Sequence, residues 1–244
     1  MALLPALLGW PYVELEPDQR KVFEVALHLG TAAALAIALR AEVAEVMRSL
    51  SSRRLLGMAL GAAPPAALAY LLEDPIEQRL GSPRSVALAQ IGGGLALMAA
   101  DRGGARRGTG TAGALDHLLL GLGQAAALVP GVSRSGGALT ALRLRGFGRG
   151  AAGRLARHAA LPIILAASVQ KAARLARNGL PPGLYAPFAA GATAAFVSTL
   201  ASAPLIPLAD GARSYRPYAV YRVGLGVVAL AVLKRRGRAT MRAE

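Results

Sequence analysis

The sequence has no cysteine among its 244 residues, few aromatic residues (5%) and few charged residues (17%). The lack of cysteine excludes a disulfide framework, a thiol nucleophile and a cysteine-ligated metal. An ordinary soluble domain carries about a quarter charged residues, so this composition argues against a soluble enzyme. The formal charge of +15 could suggest nucleic-acid binding, but such a domain usually adds stacking aromatic residues. We therefore expect no nucleic-acid partner.

Hydrophobic residues are abundant, at 54% of the chain, and 29 residues are glycine. They form seven apolar stretches, at residues 22–39, 55–72, 85–100, 114–129, 155–169, 180–209 and 218–233. A membrane-spanning helix needs about 20 mainly apolar residues, and flanking arginines that reach the headgroups allow shorter ones. Seven such stretches would leave a water-soluble helical bundle almost no polar face. The sequence therefore predicts an all-α integral membrane protein.

One apolar stretch ends in the polar motif QAAALVPGVSRSGG, at residues 124–137. Pro130 and Gly131 stop a helix, Gly136 and Gly137 permit a tight reversal, and the apolar piece that follows is too short to span. We interpret residues 114–144 as a re-entrant hairpin with its polar tip inside the protein. Non-helical backbone is tolerated at membrane depth only when it is buried in protein or lines a wet cavity.

The tip of this hairpin has the composition of an oxyanion site. Arg134 offers a planar fork of donors suited to phosphate, while Ser133 and Ser135 add hydroxyl donors. Backbone N–H groups at Gly131 and Gly136 and a following helix N-terminus also favour negative charge. The alternative is a loop arginine that extends to the lipid headgroups, but that role needs neither serines nor glycines.

Acid–base groups are scarce, because no carboxylate lies between Asp116 and Asp210. The second half can therefore bind a phosphate but cannot supply a carboxylate base or a set of hard-metal ligands. Glu24 and His28 are four residues apart and share one face of the first apolar helix, which makes them a candidate acid–base pair. The alternative places Glu24 at the interface and His28 in a contact between helices. No metal site is identifiable, and His117 and His158 fit interface or packing roles.

Several segments resemble one family, the undecaprenyl-diphosphate phosphatases, also called bacitracin-resistance proteins. LVPGVSRSGGALT, at residues 128–140, is similar to the second signature of that family. GLGQAAALVPG (121–131) and LRGFGRGAAGRLARHAALPIILAASV (144–169) resemble the pattern around it. FEVALHLGTAAALAIALR (23–40) resembles the first long helix of the family, so the similarity covers nearly the whole chain.

The resemblance implies a multi-pass hydrolase of the bacterial inner membrane. It would convert undecaprenyl diphosphate to undecaprenyl phosphate, the carrier lipid of cell-wall synthesis, and so act in bacitracin resistance. The implied fold is two inverted repeats, each a re-entrant hairpin plus three spanning helices, at residues 1–113 and 114–244. We expect the first hairpin to be missing or incomplete in residues 1–113. Implied partners are a polyprenyl diphosphate lipid and the bilayer, with a homodimer left open, and the implied cofactor is Mg²⁺ or Ca²⁺.

The site residues carried over from the resemblance all lie in the second hairpin. The expected catalytic residues are Ser133, Arg134 and Ser135. The expected diphosphate-binding residues are Gln124, Gly131, Arg134, Gly136 and Thr140.

The chain departs from the family pattern at its start. The first signature, two glutamates four apart and a Ser-Ser/Thr-Gly-His turn, is not found in residues 1–12. We expect Met1 to be an internal methionine, with the catalytic carboxylates encoded upstream. The rival interpretation is a genuine truncation that leaves a catalytically impaired paralogue. A polyprenyl-phosphate transporter or flippase is the alternative function, because broken hairpins between inverted repeats also occur in transporters.

Overall fold

Helices make up almost the whole of the computed structural model, which describes residues 8, 10, 15–101, 106–181 and 183–240. Residues 1–12, except residues 8 and 10, lie outside this part of the chain, so the expectation about them stays a prediction. The described residues form ten α-helices: α1 (Pro17–Ala38), α2 (Arg40–Arg48), α3 (Ser52–Leu80), α4 (Pro83–Ala100), α5 (Ala114–Ala125), α6 (Arg134–Leu144), α7 (Arg149–Asn178), α8 (Tyr185–Ser202), α9 (Leu205–Asp210) and α10 (Arg216–Thr240). Short 3₁₀ turns lie at Thr109–Thr111 and Ala126–Leu128.

Four of these helices contain stretches long and apolar enough to cross a membrane: Gln19–Ala38, Ser52–Leu72, Arg149–Arg177 and Arg216–Arg236. Large apolar side chains on their surfaces are exposed, among them Leu165, Val169 and Tyr221. A water-soluble protein buries such side chains, whereas lipid tails solvate them. The predicted class, an all-α integral membrane protein, is confirmed.

The long apolar run at 180–209 does not form one helix. It contains α8 and α9, which are separated at Ala203 and Pro204. Proline lacks the N–H that would continue the hydrogen-bond ladder, so a break at this position is expected. In contrast, α3 and α7 extend well beyond their apolar cores, to 29 and 30 residues, because their charged flanks continue the helix.

Small residues let the helices approach closely, as is typical of membrane bundles. Helix α1 packs on α8, where Gly30 lies against the backbone of Ala192. Helix α4 packs on α10 in the same way, and there Gly226 faces the carbonyl of Ala87. Helices α5 and α6 form an antiparallel hairpin that contacts α3, α4 and α7, so it lies inside the bundle.

Candidate active site

The hairpin tip, residues 129–133, joins α5 to α6 in a tight turn. Gly131 has a φ of +101°, and a Cβ there would overlap the carbonyl of Val86 on α4. Below the turn, Gly123 and Gly137 face each other so closely that a Cβ on either would overlap the other's backbone. Glycine is required at these positions because the two helices and α4 meet without room for side chains. The predicted hairpin of residues 114–144 is therefore present as a pair of packed helices, and its re-entrant character stays a prediction.

Ser133 is the N-cap of α6. Its hydroxyl oxygen accepts a hydrogen bond from the amide of Gly136 at 3.1 Å. One turn along, the hydroxyl of Thr140 donates to the carbonyl of Gly136 at 2.8 Å. Both side chains thus order the start of α6, whose N-terminus presents a partial positive charge.

Arg134 and Ser135 follow this cap, and both are exposed. Arg134 makes no hydrogen bond or ion pair with any residue that the structure describes. Its guanidinium therefore remains available for an anion at the N-terminus of α6.

His28 lies near Arg134, although the two residues belong to distant parts of the sequence. Its Nε2 atom is 3.3 Å from the hydroxyl oxygen of Ser168 on α7, and that hydroxyl also donates to the carbonyl of Ile164 at 2.7 Å. Arg134 and Lys171 are both close enough to His28 to interact with it electrostatically. The structure therefore brings together residues of α1, α6 and α7, which sequence spacing alone could not reveal.

Glu24 lies one turn before His28 on α1 and is exposed. The two candidate acid–base residues thus share a helix face, as the spacing predicted. Their catalytic role stays a prediction.

A cavity of about 360 Å³ opens beside the tip, between the hairpin, α4 and α10. Three of the predicted site residues line it, namely Ser133, Gly136 and Thr140, whereas Arg134 and Ser135 do not. The remaining walls are mostly glycine, alanine and other apolar residues. Such a lining suits a hydrocarbon chain rather than a charged headgroup.

Arg222 is a residue of this region to which the sequence analysis assigned no role. Its guanidinium lines the cavity and donates a hydrogen bond of 2.7 Å to the carbonyl of Gly131. The sequence did contain a signal, because Arg222 is the one charge within residues 218–233. A charge within a membrane segment is a functional candidate by default.

Gln124 lies elsewhere, buried between the hairpin and α3. Its side-chain amide donates to the carbonyl of Gly61 at 3.2 Å, and its Oε1 atom is buried without a hydrogen-bond partner among the described residues. It does not line the cavity at the tip. Its predicted contact with the diphosphate stays a prediction.

Two buried aspartates, Asp116 and Asp101, lie at the opposite end of the hairpin. Asp116 accepts hydrogen bonds from Arg107 (2.7 and 3.1 Å) and from Arg145 (2.7 Å). Burial alone would raise the pKa of Asp116, but these bonds and one from the Gly113 amide hold it well below its usual range. Asp116 is therefore an ionised structural residue at the base of the hairpin.

Asp101 forms a second buried cluster at this end. Its carboxylate pairs with Arg143 at 3.1 Å and Arg149 at 2.7 Å, and it accepts from the Tyr215 amide at 2.8 Å. Burial again opposes ionisation, but the bonds from Arg149 and Tyr215 lower the pKa of Asp101. Both aspartates thus fix the fold, because their carboxylates are buried and bonded to arginines.

A metal site would need several oxygen ligands close together. Among the described residues, no group of three or more His, Asp or Glu side chains lies close enough to hold an ion. The described residue of α1 that lies near Arg134 is His28, and a single imidazole does not make a site for Mg²⁺ or Ca²⁺. The cation implied by the resemblance therefore stays a prediction that these residues alone do not support.

Comparisons with known proteins agree on one family. The model of the family described as bacitracin resistance protein BacA matches residues 1–228. A protein of Geobacter sulfurreducens named undecaprenyl-diphosphatase is 38% identical over 252 residues, covering 96% of this chain and 89% of that protein. A protein of the same name from Chromohalobacter salexigens is 35% identical, covering 93% of this chain and 88% of that protein. The chain belongs to the bacitracin resistance protein BacA family.

Proposed function

We propose that this protein hydrolyses undecaprenyl diphosphate to undecaprenyl phosphate and inorganic phosphate. The observation that carries the proposal is the arrangement at the hairpin tip. There, Arg134 lies at a helix N-terminus near His28 and Lys171, without a hydrogen-bond or ion-pair partner among the described residues, and an apolar cavity opens beside the tip. The two relatives described above are named undecaprenyl-diphosphatase. A cationic tip next to an apolar cavity suits a lipid with a diphosphate headgroup.

In this proposal the diphosphate binds Arg134, and Lys171 adds a second positive charge. The exposed hydroxyl of Ser135 and the first N–H groups of α6 supply further donors. Ser133 and Thr140 hold these donors in place through their bonds at Gly136. The first part of the prenyl chain lies in the cavity lined by α4, α6 and α10, and the rest extends into the bilayer.

The reaction breaks one phosphoanhydride bond. Water attacks the terminal phosphorus, the bond from that phosphorus to the bridging oxygen breaks, and the bridging oxygen leaves on the lipid monophosphate. Arg134 stabilises the negative charge that develops on the leaving and equatorial oxygens. Glu24 and His28 are the described groups that can take a proton from water or return one to the leaving oxygen.

The cellular role follows from this chemistry and also belongs to the proposal. The enzyme would be a multi-pass protein of the bacterial inner membrane that regenerates the carrier lipid. The alternatives of an impaired paralogue or a flippase gain no support from the relatives, whose names describe a diphosphatase.

Phosphate release from undecaprenyl diphosphate by the purified 244-residue chain tests the function. We expect wild type to release phosphate and Arg134→Ala to lose about 10²–10³-fold in kcat, as when a donor to a developing oxyanion is removed. Arg174→Ala is the matched control, because Arg174 is an exposed arginine on α7 that is not part of the proposed site. Equal turnover by Arg134→Ala and Arg174→Ala would rule out the assignment. Absence of phosphate release both from the 244-residue chain and from a form extended to an upstream in-frame start would contradict the function.

A further inference from the structure

A second cavity, of about 290 Å³, opens at the base of the hairpin. Basic side chains from α3, α5 and α7 converge on it: Arg53, Arg54, His117, Arg154 and His158. One acidic residue, Glu45 of α2, is among its lining residues. Even with both histidines neutral, three arginines against one glutamate leave the cavity with an excess of two positive charges.

This cavity is separate from the Arg134 site. The 12 residues of α5 run between the two ends of the hairpin, a rise of about 18 Å at 1.5 Å per residue. His117 lies at the start of α5, whereas Arg134 follows the turn at its far end. On α7, His158 is ten residues before Ser168, which adjoins His28, a rise of about 15 Å.

One arginine of this cavity, Arg154, has no acceptor within the described part of the chain. Arg154 makes no hydrogen bond or ion pair within the described part of the chain, and the buried Nε2 atom of His158 has no hydrogen-bond partner there. The nearest acidic oxygen to that atom, on Glu42, is 3.8 Å away and already accepts from Arg157. The Nε2 atom is itself buried, so the donors that an oxyanion in the cavity can use are those of Arg154.

Two contacts fix the arginines of α3 in place around the cavity. Arg54 approaches the Nδ1 atom of His158 at 3.2 Å and also bonds to the hydroxyl of Ser49. Arg53 donates to the carbonyl of Ala112 at 3.2 Å. An arginine that merely extends to headgroups needs no such partners, so these contacts favour a preformed site.

The position of the cavity near one end of α7 is compatible with binding a lipid headgroup or a water-soluble anion. The apolar stretch of α7, Arg149–Arg177, has 29 residues and spans about 43 Å, whereas the hydrocarbon core is about 30 Å thick. One end of α7 can therefore extend to the level of the headgroups. Arg154 and His158 lie in its first three turns.

We propose that this cavity is a second phosphate-binding site. Its ligand is a phosphate group, held by Arg54 and Arg154, with the imidazole of His158 positioning Arg54. That group can belong to the headgroup of an anionic phospholipid or to free inorganic phosphate, which share the same chemistry.

The test uses the full chain with Arg134→Ala in every sample, so that the site at the tip does not contribute. Binding of radiolabelled inorganic phosphate is measured by equilibrium dialysis in a non-ionic detergent. Retention of phosphatidylglycerol, against phosphatidylcholine, is measured by native mass spectrometry. Arg154→Gln removes one donor of the cavity, and Arg177→Gln, an exposed arginine at the other end of α7, is the matched control.

We expect one of the two probes to bind and Arg154→Gln to weaken it at least about tenfold, as loss of a charged hydrogen bond predicts. Arg177→Gln should leave the affinity unchanged. Binding of inorganic phosphate would identify the free ion, and selective retention of phosphatidylglycerol the lipid headgroup. Arg154→Lys, together with the Tm of each variant, separates a lost donor from a lost fold.

Either of two results would overturn the proposal: that neither probe binds, or that Arg154→Gln and Arg177→Gln bind equally. These binding measurements do not require turnover, so their result is independent of whether the protein hydrolyses undecaprenyl diphosphate.

Discussion

The side-chain amide of Gln124 donates to the carbonyl of Gly61, an acceptor that Pro65 leaves without its helical partner. In an α-helix the N–H of residue 65 would bond this carbonyl, but proline has none. The Leu60 carbonyl, four residues before Pro64, is freed in the same way. Both carbonyls face Gly121 on α5, where a Cβ would come within 2.8 Å of each oxygen. The hairpin therefore packs on α3 at the point where two backbone hydrogen bonds of that helix are missing.

Gln124→Leu should lower the free energy of unfolding by about 1–3 kcal/mol, the cost of leaving a buried acceptor unpaired. In the Pro65→Ala background the same change should cost less, because residue 65 then supplies the missing N–H. Thermal unfolding of the two single variants and the double variant in detergent measures this coupling. Strictly additive effects would show that Gln124 does not compensate for the proline.

Arg222→Ala should reduce phosphate release, because the Gly131 carbonyl loses its donor and the hairpin tip is no longer fixed to α10. Arg222 acts here as a positioning residue, so Arg222→Lys should recover part of the rate by restoring a cationic donor. Initial rates over a range of substrate concentrations measure both changes. Arg216→Ala, at the exposed start of the same helix, is the control. Equal rates for Arg222→Ala and Arg216→Ala would contradict the prediction.

Asp101→Asn should destabilise the protein by about 3–5 kcal/mol near neutral pH, because Arg143 and Arg149 would keep their charges without a counter-ion. The lowered pKa of Asp101 gives the sign of the pH dependence. Its stabilisation is fully present above the unfolded-state pKa of about 3.9 and is lost as pH falls through the folded-state value. The difference in Tm between wild type and variant should therefore shrink below about pH 4. A difference that stays constant down to pH 2 would exclude this linkage.

His28→Gln should lower kcat about 10²-fold with little change in KM, if His28 transfers a proton rather than holding substrate. Lys171→Ala should instead raise KM, since Lys171 contributes charge to diphosphate binding. Steady-state rates with undecaprenyl diphosphate distinguish the two effects. Ser202→Ala, at the exposed end of α8, is the control. A kcat for His28→Gln within twofold of that control would remove His28 from the proposed chemistry.

Much of the fold could be predicted from the sequence, because lipid-facing helices must be apolar over most of their length. The stretches at 85–100 and 218–233 lie within helices of the structure, and the stretch at 22–39 exceeds α1 by one residue. The hairpin could also be predicted, since Pro130 and Gly131 are chemically obvious breaks. Helix ends were harder to place, because charged residues at the headgroup level continue a helix without an apolar signal, as in α3 and α7.

The candidate site could be predicted only in part. Ser133, Arg134 and Ser135 form one contiguous motif whose residue types indicate oxyanion binding, whereas Thr140 entered only through the resemblance to the family signature. Contacts across the bundle leave no such signal, because no local spacing relates Arg222 to Gly131 or Arg54 to His158. His117 and His158 fit interface or packing roles from the sequence, and the structure shows that both also line the cavity at the base of the hairpin.

The ion pairs at the base of the hairpin also bear on how this protein tolerates mutation. Asp101 and Asp116 each serve two arginines, so loss of one arginine leaves the carboxylate with a remaining counter-ion. Loss of either aspartate leaves two cations side by side. Substitution of a single arginine at this end should therefore be tolerated better than substitution of either aspartate. Four arginines of this strongly basic chain thus depend on two aspartates, Asp101 and Asp116, for their counter-charge.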